Sequence, residues 1–378
     1  MFSTYYSSKN SSFKFILDIL DGMSDWVRVV DNDCNVIFIN RSMEEALSIE
    51  DLSDKKCYEI IGSTTACKNC TSRKAIFEGA SLKKEEAFNG RTYSIMSSPI
   101  IADDGNIYYA VEVLRDITKE KELESEIVKQ NLKLQHDLEM AKKLQLQLLP
   151  SNIKSPHLDF AYAYEPCEEL SGDMVNIFQV DKNHIGIYIA DVAGHGVSAS
   201  MLTIFIISTL NKKTRSPASA LYRLFKQFND GDLDKDLYIT IFYGIYNANT
   251  QEFTYSNAGH NCIPLIISDD GVQNLYSPGT PISNWVEKPS YYDSTVSLNG
   301  GNKLFLYTDG ITDQWLKEPN ELMSDSYIMD ILRDKNMDLK TSLDSICKYA
   351  HARLDKIGAK QKDDMTMVLL QPIKTAHN

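Results

Sequence analysis

The sequence predicts an α+β protein in which two folded regions are joined by one long helix. Three observations carry this expectation. Strand-like pairs flank short helical stretches between residues 13 and 118; residues 119 to 149 contain neither proline nor glycine; and beyond Pro150 short apolar strands alternate with two longer helical stretches. At 378 residues the chain is too long for one core of ordinary size. The expected division is a tail at 1–12, a first domain at 13–118, a helical linker at 119–150 and a second domain at 151–378.

Phe15, Ile16, Ile19 and Leu20 have helical spacing and lead into the strand-like run Trp26 to Val30. The turn signal Asp31-Asn32-Asp33 separates that run from Val36 to Asn40, which completes a hairpin. Arg41 to Leu47 reads as helix. Arg91 to Ser97 and Ile107 to Leu114 read as strands joined through Asp103-Asp104-Gly105-Asn106. The order of elements, the hairpin VVDNDCNVIFIN, the ending DDGNIYYAVEVLRDIT and the length of about a hundred residues resemble a PAS domain, and the resemblance implies a sensor.

Residues 119–149, rich in Glu, Lys, Leu and Gln, predict one continuous helix that Pro150 ends. Ile127, Leu134, Ala141 and Leu148 recur every seven residues beside Leu123, Leu138 and Leu144. Such a seam predicts a homodimer through the linker helix. Gln130 and Asp137 interrupt it, so a single helix packed on its own domain is the competing reading.

After Pro150, strands are predicted at Phe160–Tyr164, Asn176–Val180, Ile185–Ala190, Ile239–Tyr246, Phe253–Ser256, Ile263–Ser268 and Lys303–Tyr307, with helices at Ala199–Asn211 and Ala218–Asn229. This mixture suggests sheets sandwiched between helices.

Composition narrows the function. Apolar residues make up 43% and charged residues 24% of the chain, as in folded globular proteins, and no run approaches the roughly 18 apolar residues of a membrane span. The N-terminal residues lack a basic-then-apolar signal, which predicts a cytoplasmic protein whose seven cysteines are thiols or metal ligands rather than a disulfide framework. A net charge of -13 disfavours nucleic acid, including nuclease chemistry, and suits divalent cations, a protein partner or simply a solvated acidic surface.

The chemistry concentrates in four aspartate motifs at strand ends: Ser171-Gly172-Asp173, Asp191-Val192-Ala193-Gly194-His195-Gly196, Thr308-Asp309-Gly310-Ile311-Thr312-Asp313 and Lys362-Asp363-Asp364-Met365-Thr366. A carboxylate at the end of a buried strand needs a cation or hydrogen-bond donors to stay charged. Each alone reads as a turn residue or helix cap. Together they supply the hard oxygen donors that magnesium or manganese takes, and two such ions can hold one water between them.

With the lead-in MAKKLQLQLLP at 140–150 and the segment YITIFYGIYNANTQEFTYSNAGHNCIPLI at 238–266, these motifs make residues 138 to 372 similar to the SpoIIE-like branch of the metal-dependent serine/threonine protein phosphatases (the PPM superfamily). The resemblance implies an αββα sandwich with two divalent cations, Mn2+ or Mg2+, at one edge between its sheets. By the same resemblance Asp191 bridges both ions, the Val192 carbonyl ligates, Asp173 holds one ion, and Asp309 with Asp363 holds the other, Asp364 being the alternative to Asp363. The implied substrate is a phosphorylated anti-sigma-factor antagonist, and the implied control runs from sensor to phosphatase through the helix.

His195 either protonates the leaving oxygen or fixes its glycine turn. His260 reads as a turn residue near the site. The chain departs from the family pattern at Ser171, Ala193 and Asn176, the last replacing an aspartate and predicting weaker metal affinity. A phosphatase-like scaffold with little turnover is the alternative function. Within the first domain, Cys57, Cys67 and Cys70, with Cys34 in the hairpin turn, are compatible with a bound metal, an iron–sulfur cluster, a redox switch or ordinary thiols.

Overall fold

The computed structural model describes residues 10–373 except 50, 151–154, 195, 232–233, 235 and 313–324. It divides into two compact units, Met1–Lys133 and Leu134–Asn378, with the division falling inside one long helix.

The first unit opens with α1 (Asn10–Asp21), then β1 (Trp26–Asp31), β2 (Val36–Ile39), α2 (Arg41–Leu47) and α3 (Thr71–Glu78). It continues with β3 (Leu82–Phe88), β4 (Arg91–Ile101), β5 (Ile107–Asp116) and the start of α4 (Thr118–Leu148). The strands form one antiparallel sheet in the order β2-β1-β5-β4-β3, so the first hairpin and the last strand lie side by side. Its core includes Val30, Ile39, Met43, Ile76 and Ala110, with Tyr93, Ile95 and Leu114 in a smaller cluster.

A buried ion pair crosses this core. Arg28 Nε donates to Glu112 Oε2 at 2.5 Å and its Nη1 to the Cys57 carbonyl at 2.7 Å, while Ser72 and Ser97 donate to the other Glu112 oxygen. Burial opposes the charge on Glu112, yet Arg28 and these donors hold its carboxyl below the usual range.

The second unit contains the rest of α4, followed by β6 (Leu158–Glu165), β7 (Met174–Asp181), β8 (His184–Val192), α5 (Gly196–Thr209) and α6 (Pro217–Asp230). Next come β9 (Tyr238–Asn247), β10 (Glu252–Ala258), β11 (Leu265–Ser268), β12 (Gly271–Asn274), β13 (Ile282–Ser283) and β14 (Ser294–Ser297). Last are β15 (Lys303–Tyr307), α7 (Ser326–Arg333), α8 (Leu339–Ile357) and β16 (Met365–Pro372). One sheet runs β14-β10-β9-β8-β7, with β13 beside β9, and the other runs β12-β11-β15-β16-β6.

Helices α5 and α6 pack on the first sheet, and α7 and α8 on the second. Between the sheets, Val175, Ile177, Ile187 and Ile189 meet Leu304, Leu306, Val368 and Leu370 in one continuous core. A separate core of Phe305, Tyr307, Met367 and Leu369 with Ile328, Leu343 and Ile346 lies under α7 and α8. The layering is helix, sheet, sheet, helix.

Local sequence accounts for the ends of several elements. Asp338 caps α8 by accepting the Thr341 N–H at 2.9 Å, and Gly358 ends it at φ +65°. The predicted linker helix is present as α4, with the seam residues Leu123, Ile127, Leu134 and Leu144 exposed in the monomer. Among the described residues no helix is long and apolar enough to cross a membrane.

Candidate active site

The antiparallel register brings the aspartate motifs together in pairs. Met174 at the start of β7 pairs with Ala190 near the end of β8, so Asp173 and Asp191 are neighbours at one end of the first sheet. In the second sheet Tyr307 pairs with Met367, which sets the Asp309 turn after β15 beside the Asp363-Asp364 approach to β16.

Thr308 ties the pairs to each other. Its hydroxyl donates to Asp173 Oδ2 at 2.8 Å and accepts the Thr366 N–H at 3.0 Å, while its own N–H donates to the Thr366 carbonyl at 3.0 Å. One side chain thus links both sheets at the site. Asp364, 3% exposed, provides a second link by accepting the N–H of Cys167 on one oxygen and of Gly172 on the other, both at 2.7 Å.

Two glycines permit this closeness. A Cβ on Gly310 would stand 2.0 Å from the Asp364 carbonyl oxygen, and one on Gly172 would stand 2.9 Å from the Gly194 carbonyl oxygen and 3.2 Å from that of Val192. Any side chain at either place would push the motifs apart.

Asp173 is 2% exposed, and its carboxyl is raised well above the ordinary carboxylate range, first by burial and then by the neighbouring charge of Asp191. Asp191 is partly exposed, and its carbonyl accepts the Thr240 hydroxyl at 3.1 Å. Asp309, also partly exposed, accepts from Asn261 Nδ2 at 3.1 Å. Asp363 Oδ1 accepts the Asp364 N–H at 2.8 Å. Val192 is buried between its neighbours.

His260 stands behind the site rather than in it. Its Nε2 donates to the Tyr307 carbonyl at 3.0 Å, its backbone N–H goes to Asn257 Oδ1 at 2.8 Å, and burial pushes the imidazole down to about 4, so it is neutral near pH 7. It holds the end of β15 in place.

His195 and Asp313 lie outside the described residues. Gly194 and Gly196 on either side of His195 have φ of +85° and +76°, conformations that L side chains rarely adopt. Asn176 is paired with Tyr188 and is out of phase with Val175 and Ile177, so strand alternation turns it to the other face of the sheet from the inter-sheet core. The metal-weakening role expected of Asn176 therefore has no geometric basis in the strand.

In the first unit Cys34, at φ +66°, accepts the Cys57 N–H on its carbonyl at 2.8 Å, and both residues are buried. Arg73 Nη2 reaches Cys34 Sγ at 3.5 Å, and Cys70 caps α3 by accepting the Arg73 N–H at 3.5 Å. Cys67 is half-buried. Among the described residues no three His, Cys, Asp or Glu side chains are gathered tightly enough to hold an ion as they stand, so closing either cluster on a metal requires side-chain movement.

Asp173, Asp191, Asp309, Asp363 and Asp364 are thus brought to one end of the sandwich, whereas Thr308, Asn261 and Gln145, whose amide contacts the Ser171 backbone, were not singled out as site residues from the sequence.

Known proteins resemble this chain in both sequence and fold. The profile of the family described as stage II sporulation protein E (SpoIIE) matches residues 181–372, and a PAS domain profile matches 24–119. The phosphoserine phosphatase RsbP of Bacillus subtilis (strain 168) is 30% identical over 210 residues, which span 54% of this chain and only 50% of RsbP. The phosphoserine phosphatase RsbU of the same organism is 25% identical over 244 residues, 63% of this chain and 70% of RsbU. In fold, the SiaA-PP2C domain of Pseudomonas aeruginosa superimposes with a TM-score of 0.53 at 20% identity, covering 64% of this chain and 98% of that domain.

Proposed function

The chain belongs to the SpoIIE family and carries an N-terminal PAS domain, and from that premise we propose that it is a metal-dependent phosphatase acting on phosphoserine or phosphothreonine in a protein. The observation that carries the reading is the junction at Thr308, where the buried Asp173 beside Asp191 meets the Asp309 and Asp363 turns. The donor set fits a hard divalent cation, since it is made of carboxylates and a backbone carbonyl without sulfur or imidazole.

Asp191, the Val192 carbonyl, Asp173, Asp309 and Asp363 would hold Mn2+ or Mg2+. Asp364 is assigned a different role, because each of its oxygens already receives a backbone N–H from the loop leading to Asp173; it braces that loop. The cations, when bound, supply an acidified water and neutralise phosphoryl charge. The chain's own residues set the geometry: Thr308 orients the Asp173 carboxyl, Asn261 orients Asp309, and Gly310 keeps the last two turns in contact.

The proposed substrate is a phosphorylated anti-sigma-factor antagonist, as the resemblance to the SpoIIE-like phosphatases implies; the similarity to the phosphoserine phosphatases RsbP and RsbU supports the phosphoserine part of that reading. The PAS unit would act as the sensor, α4 as its connection to the phosphatase, and the exposed seam residues Leu123, Ile127, Leu134 and Leu144 of α4 as a homodimer contact.

The test is manganese-dependent hydrolysis of an aryl phosphate and of a phosphoserine protein by wild type and by Asp309→Ala. Wild type should hydrolyse both, and the variant should lose nearly all activity. Equal rates in the two proteins, or an inactive wild type across a wide manganese range, would reject the assignment.

A further inference from the structure

Among the described residues, Gln145 is the one buried side chain of α4, at 4% exposure, and its hydrogen bonds leave the helix. Its Nε2 donates to the Ser171 carbonyl at 2.7 Å, and its Oε1 accepts the Ser171 N–H at 3.1 Å. The amide therefore closes a ring on a single peptide residue. The same Nε2 lies 3.5 Å from Thr203 Oγ1 on α5. Three residues earlier on α4, Lys142 pairs with Glu169 of the same loop at 2.9 Å on the surface.

The clasped residue leads directly into the acidic site. The Ser171 hydroxyl accepts the Asp173 N–H at 3.0 Å, and the Gly172 N–H goes to Asp364. The turn that presents the Asp173 carboxyl is thus gripped by α4 on one side and by the approach to β16 on the other.

The chemistry of the ring is specific to glutamine. It requires a donor and an acceptor on one planar group at that reach; asparagine is a methylene too short, an ionised glutamate cannot donate, and leucine fills the space but leaves both Ser171 groups unpaired. A one-residue shift of α4, about 1.5 Å along its axis and about 100° around it, would carry Gln145 away from Ser171.

We infer that Gln145 is a positioning residue through which α4 sets where Asp173 stands, and hence how tightly the acidic site takes its divalent cation. The inference rests on the phosphatase reading and adds its point of control: a helix that moves changes metal affinity rather than the phosphoryl chemistry itself.

The test uses the full chain and two readouts, manganese binding by calorimetry without substrate and the manganese dependence of aryl phosphate hydrolysis. Gln145→Leu should bind manganese about 10–100-fold more weakly, the range found when a group supporting a metal ligand is removed, and should recover near wild-type kcat at saturating manganese. Gln145→Glu should also bind more weakly at neutral pH. Its deficit relative to wild type should shrink as the pH falls, because a protonated carboxyl regains the donor for the Ser171 carbonyl. Wild-type affinity in Gln145→Leu, or a Gln145→Glu deficit that does not change with pH, overturns the inference. If Gln145→Leu loses its cooperative thermal transition, the pH response of Gln145→Glu decides alone. An inactive wild type would reject the phosphatase reading instead, and calorimetry would still decide the role of Gln145.

Discussion

Thr308 has the most concentrated role of any side chain at the site, because one hydroxyl orients Asp173 and accepts the Thr366 N–H near the start of β16. Thr308→Val keeps the shape and removes both functions, so the manganese concentration for half-maximal activity should rise about 10–100-fold while kcat at saturation changes little; a manganese titration of the variant checks this. Asp173 makes a second prediction. Its folded pKa is raised above the unfolded value of 3.8, so its contribution to stability is complete below that pH and is lost as the pH rises through the raised value. With Asp173 as a proposed ligand, manganese would compete with the same proton. Binding should therefore release a proton and tighten with rising pH, which calorimetry in buffers of different ionisation enthalpy will show. The aspartates were legible in the sequence because each follows or precedes an apolar run. Thr308, Asn261 and Gln145 were not, since their partners lie 135, 48 and 26 residues away and only the folded register reveals them.

Among the elements, α4 was the most legible, because thirty-one residues without a helix breaker leave little else for the chain to do. Its exposed apolar residues give the dimer prediction: Ile127→Glu combined with Leu134→Glu should convert a dimer to a monomer in sedimentation equilibrium without loss of helix content. Helices α7 and α8 were passed over, although Leu339, Leu343, Ile346, Cys347, Ala350 and Leu354 of α8 have helical spacing. Lysine, aspartate and serine between these positions dilute the signal, and the helix gains its stability by packing on β6 and β16. Strand β3 was missed for a related reason. Its sequence LKKEEAF has little intrinsic strand preference, and it exists as an edge paired along its length with β4.

At the scale of the whole molecule, each unit has its own core, and the separation predicts two thermal transitions. Arg28→Met should lower only the transition of the first unit, by about 3–5 kcal/mol, because it leaves Glu112 buried without its cation. Manganese should raise only the other transition. Differential scanning calorimetry with and without the ion separates the two effects. The two-region plan was legible from the uninterrupted linker and the change of pattern after Pro150. The layering of the second region was less so, because β12, β13 and β14 are only two to four residues long and owe their existence to their partners.

Strand β16 lies between β15 and β6, and Asp364 just before it receives the loop that carries Asp173. During translation this strand emerges after every other strand of both sheets in its unit. A ribosome-bound chain therefore carries Asp173, Asp191 and Asp309 well before it can join them. The acidic site is complete only once Asp363 and β16 have been made, so on the proposed phosphatase reading a chain stalled before Asp363 should have no activity.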